Sequence, residues 1–120
     1  MKNEICLTLP LDGEYMTTVR LTTGGVCSLA GVDVDATEDC KVCVTESLLL
    51  LKRNGYAGAC VRLTKGDRLF VFVEGLERTG KAEDEEDEIS KALLSALVDD
   101  LTISREGGKA SAFSFSFGLA

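Results

Sequence analysis

A chain of 120 residues that is 45% hydrophobic and 28% charged is long enough for a buried core and too apolar for disorder. Its formal net charge of −7 argues against nucleic acid, which needs Lys and Arg clustered on one face, and against an anionic membrane surface. No apolar run approaches the ~20 residues of a membrane span, and the opening MKNEICLTLP lacks the apolar core of a signal peptide. The expected location is therefore cytoplasmic. There Cys6, Cys27, Cys40, Cys43 and Cys60, each in an apolar context, are expected as reduced, buried thiols.

Glu4 to Leu9 alternates polar and apolar residues, which predicts a strand ended by Pro10. Asp12 then offers a helix cap. From Glu14 to about Ala30 an apolar stripe of Tyr15, Val19, Val26 and Leu29 predicts a helix, weakened by Gly24-Gly25 and closed by Gly31. A second helix starts with Asp35 and Glu38 in capping-box spacing. Its core stripe is Ala36, Cys40, Cys43, Val44, Ser47, Leu48 and Leu51, with Val42, Leu49 and Leu50 outside that stripe. Successive helix residues turn by about 100°, so Leu48 to Leu51 nearly encircle this helix, and both of its apolar faces must be covered.

Ala57–Thr64 and Arg68–Glu74, joined at Lys65-Gly66-Asp67, read as a β-hairpin whose second strand holds the all-apolar LFVFV of a central strand. Glu77 to Asp87 reads as a loop. Ile89, Leu93, Leu94 and Leu97 have helical spacing over Glu88–Val98. Asp99–Arg105 and Lys109–Phe117 form a last hairpin about Glu106-Gly107-Gly108. In its final strand Phe113, Phe115 and Phe117 share one face and Ser114 and Ser116 the other, as in a sheet buried on one side. The order β-α-α-β-β-α-β-β predicts an α+β fold, a two-layer α/β sandwich with the helices on the phenylalanine face of a mainly antiparallel sheet. With no repeat and no linker, residues 1–120 are expected as a single domain.

The stretch 14–56, EYMTTVRLTTGGVCSLAGVDVDATEDCKVCVTESLLLLKRNGY, resembles the first two helices of the anti-sigma-factor serine kinases. These are bacterial regulators of the histidine-kinase-like ATPase (GHKL) type. The resemblance runs over residues 1–74 and returns over 92–105. It implies ATP binding through three patches. In the first, the second helix carries a Glu and, one turn on, an Asn that ligates magnesium; here Glu46 and Leu50 occupy those positions, and Leu50 has no oxygen to offer the metal. Glu46 is a candidate general base toward a hydroxyl, or a helix carboxylate that meets water or Arg53. Asn54 lies where the family often has His, so it either bonds phosphate or caps the helix, and the cap is favoured.

The second patch is an Asp-x-Gly turn for adenine. Alignment puts Gly75 at the Asp position and Glu77 at the Gly position, unless a one-residue shift lets Glu74 stand in. The third, a glycine-rich phosphate turn, is replaced by Glu88-Ile89-Ser90-Lys91. The acidic residues 83–88 stand where the family has its ATP lid. They would repel a triphosphate within roughly 8–10 Å in physiological salt, and read either as a solvated loop or as a docking segment for a basic partner. Cys40-x-x-Cys43 lacks further metal ligands and lies within a helix, so it reads as two core thiols. Arg20, in E-Y-x-x-x-x-R-L-T, matches an arginine through which the resembled regulators contact protein partners; an ordinary surface arginine is the alternative.

Together these features predict a degenerate module that acts by binding protein, a sigma factor or an anti-anti-sigma protein, with no ATP, magnesium or other metal. Arg20, Leu49 and Leu50 are the candidate partner-binding residues. The first helix and preceding strand are the expected contact surface, as in the family's dimers, and a homodimer is expected. One alternative is a divergent ATP-dependent protein serine kinase with Glu46 as base; another is a structural homodimer subunit whose interface is the face of Val42, Leu49 and Leu50.

Overall fold

A computed structural model describes residues 3–81 and 88–120. In chain order it contains β1 (Glu4–Pro10), a single 3-10 turn (Gly13–Tyr15), α1 (Met16–Ala30), α2 (Val34–Arg53), β2 (Tyr56–Lys65), β3 (Arg68–Arg78), α3 (Glu88–Leu97), β4 (Thr102–Glu106) and β5 (Lys109–Gly118). The five strands form one sheet in the order β1-β2-β3-β5-β4, and every neighbouring pair is antiparallel. The fold is α+β, compatible with the expected sandwich.

The sheet follows from the alternation. Leu7, Val61, Val73, Phe113 and Ile103 face one another across all five strands. Leu63, Val71 and Phe115 form the next row and are buried. On the opposite face the row Cys6, Arg62, Phe72, Ser114 carries no helix-side core residue. Helix α2 is central, packing against α1, α3 and strands β2, β3 and β5. That placement fully buries Leu48, Leu50 and Leu51, while Val42 and Leu49 stay partly exposed.

Four expectations are corrected in detail. The α2 cap is Asp33, not Asp35: Asp33 has extended backbone and its Oδ1 accepts from Ala36 N at 2.8 Å. The buried stripe of α1 is Met16, Val19, Thr23, Cys27 and Ala30. Tyr15 and Leu29 fall outside it, and Leu29 is 84% exposed, because the face that α1 turns chiefly to α2 lies one position on from the most apolar line. In α3 the buried positions are Ser90 and Leu94, continued by Val98, whereas Ile89 is 86% exposed. Finally, β3 does not end at Glu74. Its pairing with β2 continues to Arg78, and Thr79 N and Gly80 N both donate to Gly55 O.

The junction before β4 is held by a carboxylate. Asp100 Oδ1 accepts from Ser116 N at 3.1 Å, and its Oδ2 accepts from the Ser116 hydroxyl, to which Arg68 Nε donates at 2.7 Å. This covers Ser116, which is buried on the face where only exposed serines were expected. Burial opposes ionisation of Asp100, but the two Ser116 bonds and the Arg68 charge outweigh it and hold the carboxyl below its ordinary value of 3.8. A carboxyl depressed in the folded state contributes stability above its unfolded pKa, and that contribution is lost as pH falls through the folded one. The urea midpoint should therefore decline below about pH 4, and Asp100→Asn should flatten that part of the decline. An acid limb identical in the two proteins would exclude Asp100 from it.

Candidate functional site

Helix α2 positions most of the residues singled out in the sequence, and its neighbours decide what each can do. Glu46 Oε2 accepts from Ser90 Oγ at 3.1 Å, and Ser90 Oγ accepts from Arg53 Nη2 at 2.8 Å. The chain Arg53–Ser90–Glu46 ties two turns of α2 to the first turn of α3. Glu46 does associate with Arg53, but through a serine hydroxyl. Ionised Glu46 has further lone pairs to offer, and one side of it borders a groove.

That groove, of about 220 Å³, is lined by Arg20, Glu38, Lys41, Val42, Thr45 and Glu46. It brings Arg20 of α1 together with Glu46 and the half-exposed Val42 of α2. Lys41 Nζ pairs with Glu38 Oε1 at 3.1 Å, and Thr45 Oγ1 donates to Lys41 O at 2.8 Å, which fixes the groove wall. Two cations and two carboxylates stand on the groove, and neither sign of charge dominates.

Leu50 is not part of it. Its exposure is 0%, and it belongs to the main hydrophobic cluster. The expectation that Leu50 contributes to a partner surface is corrected: α2 is covered on both sides, so Leu50 fills the interior. Leu49 is half-buried and Val42 is 40% exposed, so only these two of the expected second face reach solvent. Asn54 is the C-cap residue of α2, and its backbone N–H donates to Leu50 O and Leu51 O. Its side chain is buried and donates through Nδ2 to Ala110 O at 2.9 Å. The amide is spent on anchoring β5.

Gly75 is inside β3, opposite Ala59, and not in a turn. A Cβ at this position would lie 2.5 Å from Tyr56 Cδ1, so the missing side chain makes room for the Tyr56 ring. Glu74 is likewise in the strand and pairs with Arg62 at 3.5 Å. Of the acidic segment, residues 83–87 lie outside the described residues. Glu88 opens α3.

Four of the five cysteines are buried, and of these Cys60 lies outside the main core cluster. Cys27, Cys40 and Cys43 are wholly buried between the helices and the sheet, as expected for core thiols. The hydrogen bond with Cys27 and burial both push Cys40 up, and burial pushes Cys43 up to about 12, so both stay protonated. Cys6 is the exception: it is exposed on the open face of the sheet.

Ser90 and Lys41 were not singled out from sequence as site residues, and Glu38 was read only as a capping-box partner. Ser90 has one available signal, its place four residues before Leu94 and eight before Val98 on the buried line of α3. Glu38 and Lys41 have ion-pair spacing.

The fold and the α1/α2 groove define a small α+β protein with a cleft of mixed charge between its first two helices. Part of the chain is similar to the serine-protein kinases RsbW. The protein of that name from Listeria monocytogenes is 34% identical over 58 residues, 48% of this chain and 37% of that one. The one from Staphylococcus epidermidis is 40% identical over 48 residues, 40% of this chain and 30% of that one. The matched stretch thus spans about a third of the length of these curated relatives. No family model matches the chain. Among the described residues, no helix is long and apolar enough to cross a membrane.

Proposed function

We propose that this protein is a degenerate relative of the anti-sigma-factor serine kinases, a single GHKL-type domain over 1–120 that regulates by binding protein and not by phosphorylation. The observation that carries this reading is Leu50. At the position where the resembled family places its magnesium-binding Asn stands a fully buried alkyl side chain, and magnesium takes oxygen ligands. The other two patches point the same way. Gly75 lies in a strand beneath Tyr56, and the start of α3 carries Glu88, Ile89 and a Ser90 already bonded to Glu46. These residues do not fit Mg-ATP, and no catalytic step is derived from them.

The partner reading draws support from α1 and β1. β1 is an edge strand, and a groove of about 430 Å³ beside it is lined in part by Ile5, Val26, Leu29 and Leu63. Leu21 is also largely exposed on α1. An apolar strip at an open strand edge is the kind of surface that a partner or a second copy covers. Arg20, exposed on the same helix, offers a planar five-donor group for a carboxylate on the partner. The partner class is a sigma factor or an anti-anti-sigma protein, with homodimerisation through the same face.

Calorimetry tests this directly. The protein should bind a purified sigma factor or anti-anti-sigma protein of its host without nucleotide. Arg20→Glu should weaken that binding tenfold or more, about 1.4 kcal/mol. Mg-ATP at millimolar concentration should give no one-site isotherm. A clear Mg-ATP isotherm with phosphate transfer to serine would replace this reading with the kinase, in which Glu46 serves as base.

A further inference from the structure

We propose that Cys6 and Cys60 form a peroxide-sensitive dithiol site, which closes to a reversible intramolecular disulfide on the solvent face of the sheet. This inference is independent of the binding function above and stands on the cross-strand geometry. The two sulfurs are 3.1 Å apart, although the residues are 54 positions apart in sequence. Register places Cys6 opposite Arg62 and Cys60 opposite Thr8, so the thiols are diagonal neighbours on adjacent strands. They lie on the face away from the helices, and neither belongs to the main core cluster.

The pair is asymmetric. Cys6 is exposed, whereas Cys60 is buried and its thiol is pushed up, by burial first and by its bond to Cys6 second. Cys6 is therefore the thiol that an oxidant reaches, and Cys60 is the resolving partner. The Arg62 guanidinium lies beside both sulfurs and over the Phe72 ring at 5.8 Å, and it pairs with Glu74, the residue opposite Cys60.

The oxidant is hydrogen peroxide. The Cys6 thiolate attacks one peroxide oxygen; an S–O bond forms, the O–O bond breaks, and the departing hydroxide takes a proton to become water. Cys60 then loses its proton and attacks Cys6 Sγ; the S–S bond forms, the S–O bond breaks, and hydroxide leaves with that proton as a second water. Two thiols are oxidised by two electrons and one peroxide is reduced to two waters. A dithiol reduces the disulfide back to two thiols by exchange and is itself oxidised to a disulfide.

Diagonal cross-strand neighbours have Cα atoms about 7–8 Å apart, somewhat beyond the ~4.4–6.8 Å that a disulfide usually spans. Closure must draw β1 toward β2, which an edge strand with one free side permits. The resulting bond is strained and easily reduced, a property of regulatory disulfides. Cys27, Cys40 and Cys43 have no exposure and are internal controls.

The test treats the full-length reduced protein with hydrogen peroxide, alkylates it, and maps peptides without reduction. The expected results are a mass lower by two hydrogens, a fall from five free thiols to about three, as one disulfide consumes two, and one linked peptide pair containing Cys6 and Cys60. Dithiothreitol should restore all of the thiols. In Cys60→Ala, Cys6 should instead be trapped as sulfenic acid by dimedone. Sulfinic acid at Cys6 with Cys60 still free in the wild type would overturn the proposal. So would intermolecular Cys6–Cys6 dimers as the product, or linkage confined to Cys27 and Cys40.

Discussion

Leu50→Asn should destabilise the protein by about 3–5 kcal/mol and should not create a nucleotide site. The substitution supplies the oxygen that magnesium binding in the resembled family requires, so on motif grounds it looks restorative. Packing predicts the opposite. Leu50 has no exposed surface and is surrounded by the main core cluster. Removing a buried leucine side chain costs about 2–5 kcal/mol, and a buried amide without partners adds about 1–3 kcal/mol. Asn recovers some of the volume, so the sum lies in the upper part of the first range. Against a total stability of about 5–15 kcal/mol for an ordinary domain, roughly a fifth or more is lost. Leu50→Ala is the control: it leaves a cavity but buries no polar group, so Asn should be the more damaging of the two in urea unfolding, although it is larger. Mg-ATP at ten times the dissociation constant of any site would add about 1.4 kcal/mol. A rise of that size in the Asn variant would mean that an ATP site survives beside α2, and would sink the degenerate reading.

The same residue shows what sequence could and could not supply. The apolar run Leu48–Leu51 announces a helix buried on two faces, and α2 is buried on two faces. Nothing local says whether the second cover is a ligand, a partner or the protein itself. That depends on where α3 and the sheet come to rest, and those are contacts between residues far apart in sequence. Strand β5 was legible for the converse reason: with one face buried, Phe113, Phe115 and Phe117 must alternate with serines, and a slip of one residue would reverse every side chain. Helix α1 misled by one position because Tyr15 and Leu29 are apolar but exposed, while Thr23 is polar but buried. Its stripe marks the exposed apolar surface as much as the core. At the site, Glu46 and Arg53 were visible as candidates, but their link through Ser90, 44 residues beyond Glu46, was not. The buried amide of Asn54, bonded to a carbonyl 56 residues away, was equally out of reach. A capping residue was the correct local reading, and its tertiary role has no local signature.

Gly75→Ala provides the sharpest test of how the middle of β3 is built. Relative to Ala, glycine in a strand interior is disfavoured by roughly 0.5–1 kcal/mol, so in open space the substitution would stabilise. Here the new methyl would sit 2.5 Å from Tyr56 Cδ1 and 2.6 Å from Tyr56 Cγ. Cγ is the root of the ring and cannot swing away without moving the whole side chain. The ring is also held from several directions. It is buried, the Arg78 guanidinium lies 5.9 Å from its centroid, and its hydroxyl is 3.4 Å from Glu106 Oε2. Overpacking at such a place costs about 1–3 kcal/mol, which exceeds the backbone gain. The single variant should therefore lose stability, and an Asp at this position, as in the resembled family, should lose more because it adds a carboxylate beside a buried ring. The discriminating measurement is a double-mutant cycle with Tyr56→Ala. Once the ring is gone, Gly75→Ala should become neutral or slightly stabilising, giving a coupling energy of at least ~1 kcal/mol. Equal costs in the two backgrounds would show that Tyr56 is not what forbids a side chain at Gly75. A glycine kept for aromatic packing has no need of a nucleotide.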